Sequence, residues 1–406
     1  TVTAPADIDT AFSDFMPTIG LNMRQFDMMM KIYKILSQKY DVVCTNPPYM
    51  GGSGMNAKLS EFVKSKFPDS KSDLFACFIE KCGQLAKPHG FYAMITQHAF
   101  MFLSSYENLR RKLMLKTTVN MAHLGARAFD EIGGEVVQTT AFVMTGHIKD
   151  YKGTYARLVD TVGENEKRDL FLSGDKRFAA KQENFSKIPV MPVAYWVSEN
   201  FIRAFERGIS IDSISDFTGS QHITANNDKY LRLHWEIDAN KVGMGKKWVY
   251  YAKGGDFRKW YGNIELVVDW SEGAVQYYKT NSTSNLLAEK YRFKEGITYT
   301  ELTSSVNTFR YLPPVCIFDK KGPSIVSVKK LWYCLGIFGT KIAPLYFAIL
   351  NPTLSTQVRD VKNLPIIVNG EIEPKIDEIV KENVEICKQD WNDFETSWGF
   401  EKHPLI

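Results

Sequence analysis

Residues 40–49 read Tyr-Asp-Val-Val-Cys-Thr-Asn-Pro-Pro-Tyr. The run 40–45 is short, largely apolar and β-prone, which predicts a buried strand. Asn46-Pro47-Pro48 stops it abruptly, because each proline fixes φ and removes a ladder donor. Upstream, residues 21–38 carry apolar groups at helical spacing. Downstream, residues 73–86 do the same behind Asp73, a good N-cap. Pro88-His89-Gly90 ends that helix, and 91–95 is the next strand. A helix over 104–115 follows, then strands over 118–124 and 136–144 around a Gly133-Gly134 turn. Helices and strands alternating at this spacing give an α/β class. Such folds place ligands at the carboxyl ends of parallel strands, where Asn46 to Tyr49 stand.

The chain has 406 residues, enough for two or three domains. Its character changes after about residue 150. Residues 1–150 are expected to be the C-terminal part of a catalytic α/β domain, and 151–214 a connecting segment with a helix near 197–207. Residues 215–370, rich in Trp, Tyr, Gly, Asn and Thr, are expected to form a mixed, β-rich domain. Residues 371–406 begin with a polar helix and are expected to act as a helical linker.

The formal charge is only +4, so the overall balance permits a nucleic-acid partner without arguing for one. The six cysteines form no C-x-x-C pair and the seven histidines no H-x-x-x-H, so no metal site is expected. The pattern fits reduced thiols in a cytoplasmic protein. Leu331 to Leu350 is almost wholly apolar and long enough to span a bilayer, but Lys341 lies near its middle between Gly339 and Pro344. A charge at that depth is costly. The stretch is therefore read as two buried elements joined by a turn, with no membrane partner.

The tetrad Asn46-Pro47-Pro48-Tyr49 suits a specific chemistry. An exocyclic amine on a base is a poor nucleophile, because its lone pair is delocalised into the ring. Two acceptors close to its hydrogens strengthen that lone pair. An Asn side-chain oxygen and the next carbonyl are such a pair, and two prolines hold them in place. A following aromatic can stack on a base flipped from its duplex. The competing reading is a strand-ending turn with a surface tyrosine, and four letters alone do not decide between them.

The stretch DVVCTNPPYMG resembles motif IV of the amino-methyltransferases. DLFACFIEKCGQLAKPHGFYAMIT resembles the helix and strand that follow it there, joined by a Lys-Pro-x-Gly turn. AFDEIGGEVVQTTAFVM resembles the later hairpin that contributes a second aromatic to the base pocket. Order and spacing are those of the N6-adenine branch. TGSQHITANNDKYLRLHWEID, YYAKGGDFRKWYGN, GITYTELTSS and LNPTLSTQVRDVKNLPI resemble target-recognition domains of large methyltransferases. The tail DWNDFETSWGF with HPLI is similar to the phage-defence methyltransferases of bacteriophage-exclusion (BREX) systems. Together these stretches cover nearly the whole chain.

The resemblance implies a Rossmann-like methyltransferase sheet followed by a target-recognition domain and a C-terminal helix. It implies DNA adenine-N6 methylation with S-adenosylmethionine as methyl donor, on double-stranded DNA, alongside other phage-defence subunits. Asn46 and the Pro47 carbonyl would hold the adenine amine. Tyr49 would stack on the flipped base, Phe129 would close its pocket, and Pro48 and Phe78 would line the cofactor's adenine. The glycine-rich turn and acidic residue that hold most of the cofactor in this family should precede the Asn46 strand. They are not found in the first forty residues. The chain is accordingly expected to be a fragment without tight cofactor binding, exposing apolar groups beside strand 40–45.

In the 215–370 region, Asn226, Asn227, Lys229, Arg232, Arg258 and Lys259 are candidate DNA contacts, with Lys253, Trp235 and Trp260 nearby. Asn and Arg can grip base edges, and Lys and Arg can grip phosphate. Taken singly, each is better explained as a solvated surface charge or, for a Trp, a core residue; as a set in a β-rich, basic-patched domain they point to DNA contact. No nuclease cluster is found, since Asp319-Lys320-Lys321 lacks an upstream acidic partner. Three other functions fit less well: the modification half of a type IIG-like restriction-modification enzyme, a protein glutamine methyltransferase, and a DNA-binding module with a relic pocket.

Overall fold

A computed structural model describes residues 23–129, 137–217, 221–302, 307–351 and 356–406. The chain divides into two compact units. The first comprises 1–100 with 111–181, and the second 101–110 with 182–406.

The first unit is built on a six-stranded mixed sheet. Its strands are β1 (Tyr40–Thr45), β2 (Ala86–Gln97), β3 (Thr117–Gly125), β4 (Thr139–Thr145), β5 (Lys152–Arg157) and β6 (Arg177–Lys181), in the order β1-β2-β4-β3-β5-β6. β1 pairs parallel with β2, and β3 with β5. β4 runs antiparallel between β2 and β3, so β1, β2 and β3 point the same way. The α/β expectation for this region therefore holds, with β4 and β6 making the sheet mixed. The Gly133-Gly134 turn lies outside the described residues.

The helices of this unit are α1 (Met23–Ser37), α2 (Ala57–Lys66), α3 (Leu74–Leu85) and α5 (Glu164–Ser173), while α4 (Glu107–Leu113) spans the boundary at residue 110. The core is one-sided. Tyr92, Met94, Phe142, Met144 and Tyr155 are buried, as are Phe75, Ile79 and Cys82 of α3. On the opposite face β1 and β2 leave Val42 63% and Phe91 42% exposed. α1 likewise exposes Met28, Ile32, Tyr33 and Leu36. The Lys87-Pro88-His89-Gly90 turn is drawn into β2, where the register shifts between Tyr40 and Val42. A Cβ on Gly90 would lie 2.8 Å from the Tyr40 and Asp41 carbonyl oxygens, so only glycine lets β1 approach this closely.

The boundaries expected at 150, 214 and 370 fall inside the compact units. Residues 152–181 extend the first sheet, because β5 completes the open edge of β3 and β6 then pairs with β5. The C-terminal helix, Glu373–Asn392, belongs to the second unit's core through Val380, Val384 and Trp391.

The second unit holds two four-stranded sheets. One joins Cys316–Phe318, Trp248–Ala252, Leu266–Asp269 and Leu231–Leu233, and the other Phe309–Leu312, Gly296–Tyr299, Ser324–Val326 and Asp216–Phe217. Leu331–Leu350 resolves into helices Leu331–Gly339 and Ala343–Leu350, bent by 80° at the break that contains Lys341. Phe338 and Phe347 of this pair stack on Phe309, with Phe338 at 4.2 Å. No single helix among the described residues is long and apolar enough to cross a membrane.

Candidate functional site

Asn46 follows Thr45, the last residue of β1, at the strand's carboxyl end. Its side chain is exposed, Pro47 is buried and Pro48 is exposed. The loop is tied to the start of α3. Asp73 caps that helix by accepting from the Phe75 amide at 3.3 Å. The same carboxylate oxygen accepts from the Met50 amide at 2.9 Å. The Met50 carbonyl accepts from the Leu74 amide at 3.1 Å, and the Gly52 amide donates to the Ser72 carbonyl. One carboxylate thus fixes both a helix terminus and the loop after the tetrad. Its capping role is legible from sequence, whereas its hold on Met50, across 23 residues, is not.

Tyr49 is half-buried and packs edge-on against Phe75, ring centroids 6.0 Å apart. Burial, and secondly the Asp73 charge, raise its phenol pKa, so it remains a neutral aromatic. Phe78 lies one helical turn after Phe75 on α3 but faces outward, 36% exposed. Its exposed ring and that of Pro48 are apolar surfaces suited to a flat heterocycle such as an adenine. Phe129 lies just beyond the end of β3 and is 39% exposed. It shares the carboxyl edge of the sheet with Asn46, with β2 and β4 between, or roughly 14 Å at about 4.8 Å per strand. The hairpin that follows it lies outside the described residues.

A cleft of about 710 Å³ opens beside the tetrad. Cys44 and Thr45 line it from β1 and Asn46 from the loop that follows, Ala93 and Ile95 from β2, and Asn120 and Ala122 from β3. Arg177 and Phe171 close its far side, the guanidinium 4.9 Å from the ring centroid. Of the residues expected at the site, Asn46 lines this cleft, whereas Pro47, Pro48, Tyr49, Phe78 and Phe129 are not among its lining. The small residues Ala93, Ala122 and Ala141 leave the sheet face accessible, and sequence reading did not single them out. Near the same carboxyl edge, His98 Nδ1 and His123 Nε2 lie 2.8 Å apart. Burial lowers the His98 pKa to about 4 and that of His123 well below its usual value.

The candidate DNA contacts of the second unit are mostly engaged internally. Asn226 caps a short helix by accepting from the Lys229 amide, and Asn227 accepts from the Thr224 hydroxyl at 2.7 Å. Lys229 lies over the Tyr230 ring at 5.1 Å, and Arg232 donates to the Asp228 and Leu231 carbonyls. Arg258 stacks over Trp391 at 4.5 Å and pairs with Asp390 at 3.3 Å. Lys259 reaches the Gly339 carbonyl at 3.5 Å.

Residues 7–126 match the family described as Eco57I restriction-modification methylase. The chain is 36% identical to the adenine-specific methyltransferase PglX of Lacticaseibacillus casei (strain Zhang), over 93% of this chain and 33% of that protein. It is 39% identical to the adenine-specific methyltransferase BrxX of Escherichia coli O9:H4 (strain HS), over 92% of this chain and 31% of that protein. A structure of the Type IIL restriction-modification enzyme MmeI in complex with DNA matches with a TM-score of 0.53 and 12% identity. That match covers 86% of this chain and 49% of MmeI, and it concerns the fold. The chain spans about a third of the length of the curated relatives it matches. By sequence, the chain is similar to the adenine-specific methyltransferases PglX and BrxX, matching about a third of their length along nearly all of its own.

Proposed function

We propose that this chain carries the catalytic loop and the DNA-reading unit of a site-specific DNA adenine-N6 methyltransferase of the phage-defence type. The observation that carries this reading is the placement of Asn46. It stands exposed at the carboxyl end of a parallel strand, on a proline-stiffened loop that Asp73 ties to α3. Asn46 Oδ1 and the Pro47 carbonyl oxygen accept hydrogen bonds from the adenine amine and concentrate its lone pair. Tyr49 offers a ring face to the flipped base, and Phe129, along the same carboxyl edge beyond β3, would close its pocket. S-adenosylmethionine, when bound, supplies the electrophilic methyl group. Pro48 and Phe78 are the residues of this chain that would touch its adenine. They cover one side only, so the chain by itself holds the cofactor weakly. Double-stranded DNA is the substrate, read by the second unit, and further phage-defence subunits are its partners.

The test is methylated-base sequencing of DNA from cells expressing the full gene that encodes this chain, beside the same gene with Asn46→Ala. N6-methyladenine at one recurring site, lost in the variant, is the expected result. Unmethylated adenine in both, or methylation that survives the substitution, would overturn the reading.

A further inference from the structure

In the second unit three uncommitted lysines gather on two neighbouring strand ends. Trp248–Ala252 and Cys316–Phe318 run parallel and end side by side, and the Asp319 amide donates to the Ala252 carbonyl at 2.8 Å. Each strand continues into a tight loop, Lys253-Gly254-Gly255-Asp256 and Asp319-Lys320-Lys321-Gly322. The loops are locked together. A Cβ on Gly322 would lie 2.5 Å from the Gly254 nitrogen, so no other residue fits without moving backbone. The buried Asp319 carboxylate accepts from the Tyr251 hydroxyl and the Lys321 amide, both at 2.6 Å. The Gly255 carbonyl accepts from the Thr300 hydroxyl at 3.1 Å. That hydroxyl in turn accepts from the buried Arg310 guanidinium at 3.3 Å.

On this rigid frame Lys253 is half-buried, and Lys320 and Lys321 are exposed. Among the described residues none of their ammonium groups has an ion pair, a hydrogen bond or a ring contact, unlike the charged groups of Arg258, Lys259 and Lys229. A cleft of about 340 Å³ opens beside them. Lys253, Gly254, Gly255 and Lys321 line it together with Asp256, Asn263 and Glu265. Carboxylates repel phosphate and accept from amines. The cleft's acidic wall thus suits a base edge carrying an exocyclic amine, while the lysine rim suits the backbone beside it.

We infer that the paired loops 253–256 and 319–322 are a DNA-reading site of the second unit. Lys253, Lys320 and Lys321 grip phosphates there, and Asp256 and Glu265 accept from the exocyclic amine of a cytosine or adenine. The inference rests on the DNA-methyltransferase reading above and replaces the earlier candidate contacts with uncommitted ones.

The experiment is fluorescence anisotropy of the 406-residue chain with a labelled mixed-sequence duplex, titrated with salt. Each phosphate contact contributes about 0.9 to the slope of log affinity against log salt, so Lys253→Gln/Lys320→Gln/Lys321→Gln should lower it by about 2 to 3. The triple Lys→Arg variant should keep the slope. Lys375→Gln, an exposed lysine on the C-terminal helix, should leave it unchanged. Duplex binding with an unaltered slope in the triple Gln variant would place the phosphate grip elsewhere and leave the DNA reading standing. Failure of the unaltered chain to bind duplex at any salt would remove both. An equal per-charge loss with Lys375→Gln would reduce the effect to bulk charge and overturn the site. Glu265→Gln should change the base selected at one position from a randomised duplex pool without changing the slope. Unchanged selection would remove the base-reading part.

Discussion

The loop 46–50 and the polar stretches 226–235 and 253–260 are both rich in groups that could touch DNA, yet they fold differently. In the first, the sequence signal is a backbone one: a strand, then two prolines, then an N-capped helix. The resulting loop leaves the Asn46 side chain exposed. In the second, the signal is side-chain chemistry alone, and the fold turns much of it inward. Asn226 becomes a cap, Arg232 satisfies carbonyls and Arg258 stacks on Trp391. A side chain with several donors can serve a ligand or its own backbone, and composition does not say which. Lys320 and Lys321 stay free and exposed on a turn whose backbone Asp319 holds through the Lys321 amide.

The widest difference expected between the regions is catalytic. On the proposed methyltransferase function, Asn46→Ala in the product of the full gene should lower methyl transfer by about 10²- to 10³-fold, the usual loss for one preorganised polar group at a reacting centre. Duplex binding should be unchanged. Radiolabelled methyl incorporation and anisotropy on the same protein check both halves, and a parallel fall in binding would erase the contrast.

Acid should weaken both regions through buried imidazoles. His98 in the first unit and His222 in the second have pKa values lowered by burial, from 6.5 to about 4 and about 3. Both are neutral when folded and protonate freely when unfolded. Below pH 6.5 the unfolded chain therefore binds more protons, and stability falls as pH drops. The loss runs from about pH 6.5 to pH 4 for His98, at most roughly 3 kcal/mol, and continues to about pH 3 for His222. Urea midpoints across this range are the measurement. His98→Gln should flatten the curve above pH 4, and an unflattened curve would show that the His98–His123 contact does not set the acid limit.

Much of the first unit is legible in its sequence. Strand 40–45 has the expected bounds but not the expected burial, since Asp41, Val42 and Cys44 are exposed, whereas α3 starts behind Asp73 as expected. Apolar spacing and capping chemistry are local, so a local reading finds them. The Leu331–Leu350 break is legible for the same reason, because Lys341 between two helix breakers leaves few alternatives. The join of 152–181 to the first sheet is not legible. Pairing of β5 with β3 is set by an open edge, and an edge appears only once the sheet exists. The hold of Asp73 on Met50 and the contact between two distant glycine loops are likewise long-range.

Asp73 offers a sharper test of the first region. Asp73→Ala removes a helix cap, worth about 1 kcal/mol, and frees the Met50 amide as well. Methyl transfer by the full-length enzyme should fall further than the lost stability explains, because the tetrad loop loses its anchor. Asp73→Asn keeps an oxygen acceptor and should recover most of both. If activity merely tracks the melting temperature through the three proteins, Asp73 is a cap and nothing more.

The smallest effect separates the two regions most cleanly. Arg258 sits over the Trp391 ring and beside Asp390, on a side chain one-third exposed. A cation over an indole contributes about 0.5–1 kcal/mol at such a site, and an exposed ion pair adds less. Arg258→Met keeps much of the apolar stem and removes the charge, so stability should fall by about 1 kcal/mol or less. A DNA contact at this position predicts something else: a salt slope lower by about 0.9, with little change in stability. The two outcomes are read on one protein, by urea denaturation and by anisotropy across salt. We expect the first. The second would mean that Arg258 leaves Trp391 to meet phosphate, and the internal engagement drawn for this stretch would then describe only its DNA-free state.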